Sequence, residues 1–335
     1  MRTLLRPALA ASLLTLTALN SPGAAAADGV GDFVERLSRE YGFARTELQA
    51  VLGDAQKQQN ILDAIARPAE GLPWWKYRQI FVKPERARAG VDYWRANAAA
   101  LRRAEAQYGV PPEIIVAIIG VETYYGRHTG NHRVLDALYT LGFHYPKRAA
   151  FFLRQLEEFL LLSREESLDP RQPTGSYAGA MGRPQFIPSS YRAYAVDFDG
   201  DGTRDIWQND ADVIGSVANY FAVHGWTRGA PVAAPISGVH DRPEAFVEAG
   251  MKPSLTVGQL RASGYRLDPE LPDDAKTSVV ALEQAEGEDF WAGLENFYVI
   301  TRYNHSNLYA MAVLQLSREI LALRHAATQT AEARD

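Results

Sequence analysis

One glutamate in this chain stands where a carboxyl group would keep its proton. Glu122 is the carboxylate near the end of the apolar stretch Val110–Gly126, VPPEIIVAIIGVETYYG. Pro111 and Pro112 suit the first turn of a helix, where a missing N–H costs nothing, and Gly126 suits a left-handed stop. At helical spacing Ile115, Ile118, Ile119 and Glu122 share one face, so the carboxyl points where its apolar neighbours point. Burial raises a carboxyl pKa, and so does the negative end of a helix. Both favour a proton held near neutral pH, as a general acid requires. On this run alone, a structural Glu paired with a buried Arg or Lys remains an equal alternative.

Three further stretches carry usable chemistry. Ser176–Tyr191, SYAGAMGRPQFIPSSY, sets small residues beside Gln185, which offers both a donor and an acceptor. Such a surface suits a sugar, with its hydroxyls and apolar ring faces, although a tight turn explains the same glycines. Asp197, Asp199, Asp201 and Asp205 fall at positions 1, 3, 5 and 9 of a loop with Thr203 at position 7 and Gly202 at position 6. That is the oxygen spacing of an EF-hand calcium loop. Position 12 is Gln208 instead of a bidentate Glu, so Asp210 or Asp212 is left to close the loop. A single such loop fits a structural ion better than a switch. Tyr303-Asn304-His305-Ser306 precedes the last helix and fits an N-cap by Ser306 or Asn304, which is compatible with ligand contact. Trp74, Trp75 and Trp94 could stack on sugar rings, with core packing the safer reading.

These residues need a frame to hold them. The chain has 335 residues, 47% hydrophobic and 22% charged, in the range of an ordinary soluble protein of two or three domains. Residues 1–27 differ: Arg2 and Arg6, an apolar stretch from Ala8 to Leu19, then Ala24–Ala27 read as a secretory signal peptide cleaved after Ala26 or Ala27. The chain has no cysteine, which excludes disulfides, thiolate metal sites, a Cys nucleophile and a lipidated N-terminal Cys. A net charge of −5 without a basic run argues against nucleic acid as a partner. The expected location is the periplasm, soluble and without a lipid anchor.

The periodicity is helical over 28–105, where Phe33, Leu37 and Tyr41 recur on one face and Val91, Trp94, Ala98 and Leu101 mark a helix ending near Gly109. Composition shifts near 231, where six of the 18 prolines fall between Pro231 and Pro272 and Thr277–Leu282 reads as a strand. The expected division is a helical domain over 28–105 completed by a C-terminal helix 307–330, and a core over 106–230 containing the acidic loop 197–212. A small α+β domain follows over 231–292, and a segment 293–306 returns to the core. The fold class is mainly α with one α+β module.

Read together, these stretches resemble the lytic murein transglycosylase B family. The resemblance rests on Val110–Gly130, Leu135–Arg148, Ser176–Tyr191, Asp197–Trp207 and Asn296–Ala312, in the family's order and over most of the chain. It implies a lysozyme-like core with calcium in the EF-hand-like loop, where Asp197, Asp199, Asp201, Thr203 and Asp205 are the expected ligands and Asp212 is taken as the closing one, with Asp210 as its alternative. It implies cleavage of the β-1,4 bond between N-acetylmuramic acid and N-acetylglucosamine in peptidoglycan glycan strands. Glu122 matches the family's sole catalytic acid, and Ser176 matches a residue that hydrogen-bonds it. Gln185, Tyr303, Asn304 and Tyr309 match residues lining the glycan groove.

Most glycosidases use two carboxylates. No second acid sits in a setting like that of Glu122, since Glu113 is expected exposed at a helix start. The resemblance therefore implies a 1,6-anhydromuramoyl product, formed by the substrate's own C6 hydroxyl. A hydrolytic muramidase and a non-catalytic, calcium-stabilised peptidoglycan-binding protein are the rival readings. Periplasmic cell-wall synthesis proteins are plausible partners.

Overall fold

The computed structural model describes residues 22–66, 71–238 and 243–332. The signal peptide expected over 1–27 lies outside the described residues as far as residue 21. By compactness the chain divides after Gly53. The first unit holds α1 (Pro22–Tyr41) and most of α2 (Arg45–Asp54). Phe33 and Leu37 are buried there, while Tyr41, expected on the same face, is 37% exposed.

The second unit, from Asp54, is largely helical. It begins with α3 (Gln59–Ile65), α4 (Trp74–Phe81), α5 (Pro84–Ala96) and α6 (Ala98–Tyr108). The single helix expected to end near Gly109 is thus two helices, broken at Asn97. There the Asn97 side chain donates to the Tyr93 carbonyl that its own backbone N–H also contacts, a local bond that competes with helix continuation. Gly109 then caps α6 at φ 77°, as a C-terminal glycine should. Next come α7 (Pro112–Thr123), β1 (His132–Arg133), α8 (Val134–His144) and α9 (Ala149–Glu165). The short β2 (Thr174–Gly175) pairs with β1, and α10 (Pro188–Tyr194) and α11 (Asp210–Val223) flank the acidic loop.

The strand-bearing part contains β3 (Ala233–Ile236), α12 (Glu244–Val247), β4 (Leu255–Thr256), α13 (Val257–Ala262), β5 (Lys276–Glu283) and β6 (Glu288–Gly293). Its sheet is antiparallel, in the order β3-β6-β5-β4. One face buries Ile236, Val279 and Ala292 against Leu260. The chain then returns through α14 (Glu295–Tyr303) to the long α15 (Asn307–Glu332).

Helix α7 is the axis of this arrangement. Its residues from Ile114 to Val121 are all buried, so it is apolar on every side instead of striped. It packs against α15, α5, α6 and α11. Among the described residues no helix is long and apolar enough to cross a membrane.

Candidate active site

Helix α7 starts as its prolines require, with Pro111 at the N-cap and Pro112 in the first turn. Its end differs from expectation. The left-handed turn begins at Tyr124 (φ 51°) and runs through Tyr125 (φ 60°) before reaching Gly126 (φ 85°). Two non-glycine residues in this region cost about 1–2 kcal/mol each, so the surroundings must hold them. Tyr125 donates to the Arg86 carbonyl at 2.9 Å. Its ring lies so close to Gly120 that a Cβ there would meet the phenol oxygen at 2.6 Å. The Tyr124 ring stacks on His128 and lies under Arg86 and Arg127.

This turn fixes Glu122, the last helical residue but one. The hydroxyl of Tyr309, from the first turn of α15, donates to Glu122 Oε1 at 2.5 Å. Tyr309 is 2% exposed, and the Tyr303 ring lies parallel to it with centroids 6.5 Å apart. Tyr303 itself is pinned by donating to the Pro184 carbonyl at 2.6 Å. Glu122 keeps a partial opening to solvent, but protein encloses its carboxyl. Desolvation therefore pushes its pKa up to about 7, against the smaller lowering effect of the Tyr309 hydrogen bond. The same enclosure raises both tyrosine hydroxyls well above their ordinary value.

Among the described residues, no Arg or Lys pairs with Glu122, and neither a cation nor a second carboxylate shifts it. The ion-pair alternative therefore finds no support. Glu113 corrects an expectation: it is half-buried, with its pKa raised first by desolvation, and lines a cavity beside Trp226. It lies nine residues before Glu122, about 13 Å along the helix. That exceeds the roughly 5–9.5 Å between the carboxyl groups of a two-acid glycosidase.

The other expected ligand residues take distinct places. Ser176 follows β2, and its hydroxyl oxygen accepts from the backbone N–H groups of Ala178 (3.2 Å) and Ala180 (3.1 Å). Among the described residues it makes no hydrogen bond to Glu122, unlike the residue it matches by resemblance. Gln185 adopts a left-handed backbone (φ 52°) and donates to the carbonyls of Thr129 (3.1 Å) and Gly182 (2.8 Å). Its donors are thus engaged, and its amide oxygen is the group left to accept. Asn304 is exposed at the C-cap of α14.

In the acidic loop, Asp197, Asp199 and Asp212 bring carboxylate oxygens within 4.8 Å of one another. Backbone N–H groups of Gly202, Gly200 and Asp201 bond Asp197 and hold its pKa down, with Gly202 the largest cause. Asp212 is fully buried, accepts from Phe198 (2.6 Å) and Asp205 (2.8 Å), and has its pKa raised by desolvation. Asp201 instead accepts from Thr203, and Asp205 from the backbone of Trp207 and Gln208. Asp210, the other possible closing residue, pairs with Arg183 and accepts from Tyr93. Three clustered carboxylates, one of them buried, form an all-oxygen donor set that repels itself until a cation joins it, and this fits calcium.

Sequence reasoning missed the link between the loop and Glu122. Thr123 donates to the Arg183 carbonyl (2.9 Å) and accepts from Gly126 N–H (3.0 Å). Arg183 in turn reaches the Trp207 carbonyl (3.0 Å) and Asp210. No spacing relates residues 123, 183 and 210. The only hint was a charged side chain within a Gly/Pro turn.

A profile of the Transglycosylase SLT domain family matches residues 25–318. The membrane-bound lytic murein transglycosylase B of Escherichia coli K12 is 44% identical over 302 residues, covering 87% of this chain and 82% of its own. The crystal structure of the soluble lytic transglycosylase SltB1 from Pseudomonas aeruginosa superimposes with a TM-score of 0.84 at 53% identity, over 89% of this chain and 99% of that one. The Escherichia coli lytic transglycosylase Slt35, solved in complex with calcium, gives a TM-score of 0.80 at 43% identity, over 88% and 93%.

Proposed function

The chain belongs to the transglycosylase SLT domain family and is a lytic transglycosylase acting on peptidoglycan, and we propose that Glu122 is its sole general acid and base. The carrying observation is an enclosed carboxyl that, among the described residues, hydrogen-bonds the Tyr309 side chain alone and lies far from any second acid along its helix, so that desolvation pushes its pKa up to about 7. A proton held near neutral pH can pass to the glycosidic oxygen between N-acetylmuramic acid and N-acetylglucosamine as that bond breaks. The 2-N-acetyl oxygen of the muramoyl residue then supports the positive centre at C1. The Glu122 carboxylate accepts the proton of the C6 hydroxyl, and that oxygen bonds to C1. The product is a 1,6-anhydromuramoyl end, with no water consumed and Glu122 protonated again.

The glycan-contacting residues in this reading are Ser176, Gln185, Tyr303, Asn304 and Tyr309. The free amide oxygen of Gln185 suits a sugar hydroxyl or an N-acetyl N–H. The Ser176 hydroxyl proton has no acceptor among the described residues and can be given to substrate. Tyr303 and Tyr309 supply a stacked apolar wall behind Glu122.

Calcium is the proposed occupant of the acidic loop, held first by Asp197, Asp199 and Asp212, with Asp201, Thr203 and Asp205 completing the EF-hand-like set. The ion would supply charge compensation and loop rigidity, not reaction chemistry. The proposed division remains a helical domain, a lysozyme-like core and a strand-bearing domain, supported by the run of helices to Gly109 and by the sheet from Ala233. The periplasm, where the substrate lies, is the proposed location.

Glu122→Gln and Glu122→Asp proteins incubated with purified peptidoglycan test the assignment through the release of soluble muropeptides. Loss in Glu122→Gln with a folded protein is expected. Release at the wild-type rate would overturn it.

A further inference from the structure

Arg86, in the first turn of α5, is a cation without an anion. Its Nε and Nη1 are buried, and among the described residues neither donates a hydrogen bond. Glu85, the only acid acting on it among the described residues, is its exposed chain neighbour and forms no ion pair with it. Desolvation lowers the Arg86 pKa, against the smaller raising effects of Tyr125, Tyr124 and Glu85. A buried cation costs stability unless an anion or a set of acceptors replaces its water. Here two ring faces stand in for them. The guanidinium carbon lies 5.1 Å from the centroid of the Tyr124 ring and 5.4 Å from that of Phe81.

The same residue grips the turn after α7 twice. Its side chain covers Tyr124, and its carbonyl accepts the Tyr125 hydroxyl at 2.9 Å. That phenol fills a slot between α5 and α7 that exists because two residues lack a side chain. A Cβ on Gly90 would meet the phenol oxygen at 2.5 Å, and one on Gly120 at 2.6 Å. Tyr124 and Tyr125 are the two residues at positive φ that follow Thr123, itself the neighbour of Glu122. A left-handed tyrosine needs such external support, because its Cβ crowds the following carbonyl. On Glu122 itself Arg86 has no direct effect. The titratable groups that act there are Tyr309, through its hydrogen bond, and Tyr303, with no charged group of α5, α6 or α11 among them. Any influence of Arg86 on the acid therefore passes through the turn.

We propose that Arg86 is a positioning residue for the reaction: its guanidinium, held by the rings of Phe81 and Tyr124, locks the left-handed turn that keeps the Glu122 carboxyl enclosed. The inference rests on the proposed role of Glu122 as general acid. A cation left without an anion is a poor choice for packing alone, since an apolar side chain of similar length fills the same space with no loss of hydration. At this position stability is given up for geometry.

The test compares full-length wild type with Arg86→Met, Arg86→Lys, Tyr124→Leu and the Arg86→Met/Tyr124→Leu double variant. Each is followed by pH–rate profiles of muropeptide release from purified peptidoglycan and by thermal melts. Arg86→Met is expected to melt no lower than wild type, yet to lose about tenfold in kcat with KM little changed, the scale of a slightly misplaced catalytic group. Its alkaline limb of kcat/KM is expected to move about one unit to lower pH, because a loosened turn lets water reach the carboxyl and weakens the desolvation that raises its pKa. Tyr124→Leu should reproduce the loss and the shift, and the double variant should add nothing, because each single change already removes the same contact. Arg86→Lys, which keeps a cation over the ring, should recover most of kcat. A wild-type profile in Arg86→Met, a fall in Tm with the alkaline limb in place, or losses that multiply in the double variant would overturn the inference while leaving the role of Glu122 intact. Release at the wild-type rate by Glu122→Gln would overturn both.

Discussion

Tyr309 and Glu122, 187 residues apart in the chain, are joined by a hydrogen bond of 2.5 Å between phenol and carboxylate. The bond stabilises the charged form of the acid and so opposes the desolvation that raises its pKa. Tyr309→Phe is therefore expected to raise the Glu122 pKa above its present value of about 7. Because the acid acts in its protonated form, the alkaline limb of kcat/KM should move to higher pH while kcat falls. A pH–rate profile of muropeptide release checks this, and an alkaline limb that stays in place would contradict it.

Glu122 also affects stability. Its folded pKa lies above the ordinary carboxyl value, so the folded state holds a proton that the unfolded chain has lost between pH 4.5 and about 7. Stability due to this group is accordingly lost as pH rises through that window. Glu122→Gln removes the loss and should be more stable than wild type by about 1–3 kcal/mol at pH 8, with little difference near pH 4. Thermal melts at the two pH values decide the matter, since a gap that does not widen with pH is incompatible with a buried, titrating carboxyl.

The acidic loop makes a separate prediction. Asp197, Asp199 and Asp212 repel one another at 4.8 Å or less, so chelation of calcium should lower Tm and added calcium should restore it. Asp212→Asn is expected to abolish the response, because its carboxylate is the buried member of the group. Unchanged melting of wild type with chelator would remove calcium from the account.

Arg183 ties this loop to the end of α7. Arg183→Met leaves Asp210 without its half-buried partner and removes the bond to the Trp207 carbonyl. A loss of about 1–3 kcal/mol in stability is expected. Activity should fall more steeply than in a variant of equal stability loss placed in the first unit, because Thr123 beside Glu122 bonds the Arg183 carbonyl. Equal activity losses would confine Arg183 to a purely structural role.

Some of this was legible in the residues and some was not. That Glu122 lies among apolar neighbours was legible from its spacing to Ile115, Ile118 and Ile119, although α7 is buried on every side and not on that face alone. The strand at Thr277–Leu282 was legible from its β-branched run, and β5 extends it by one residue at each end. The place where α7 stops was not. A glycine signals a left-handed residue, but it is the tertiary surroundings that hold these two, Tyr125 against Gly90 and Gly120 and Tyr124 against His128, Arg86 and Arg127. The break at Asn97 was hidden for a related reason, because the apolar period continues through it while a side-chain bond diverts the backbone. The different surroundings of Asp210 and Asp212 were not legible either, as only the fold brings Arg183 to one and the loop backbone to the other.

The central claim is that Glu122 acts alone and that the substrate's own hydroxyl closes the reaction. Mass spectrometry of products formed from purified peptidoglycan in heavy-oxygen water tests it most directly. Anhydromuramoyl ends without label are expected from the wild type, and no product from Glu122→Gln. Reducing ends carrying one heavy oxygen would make the enzyme a hydrolase and require a second catalytic group.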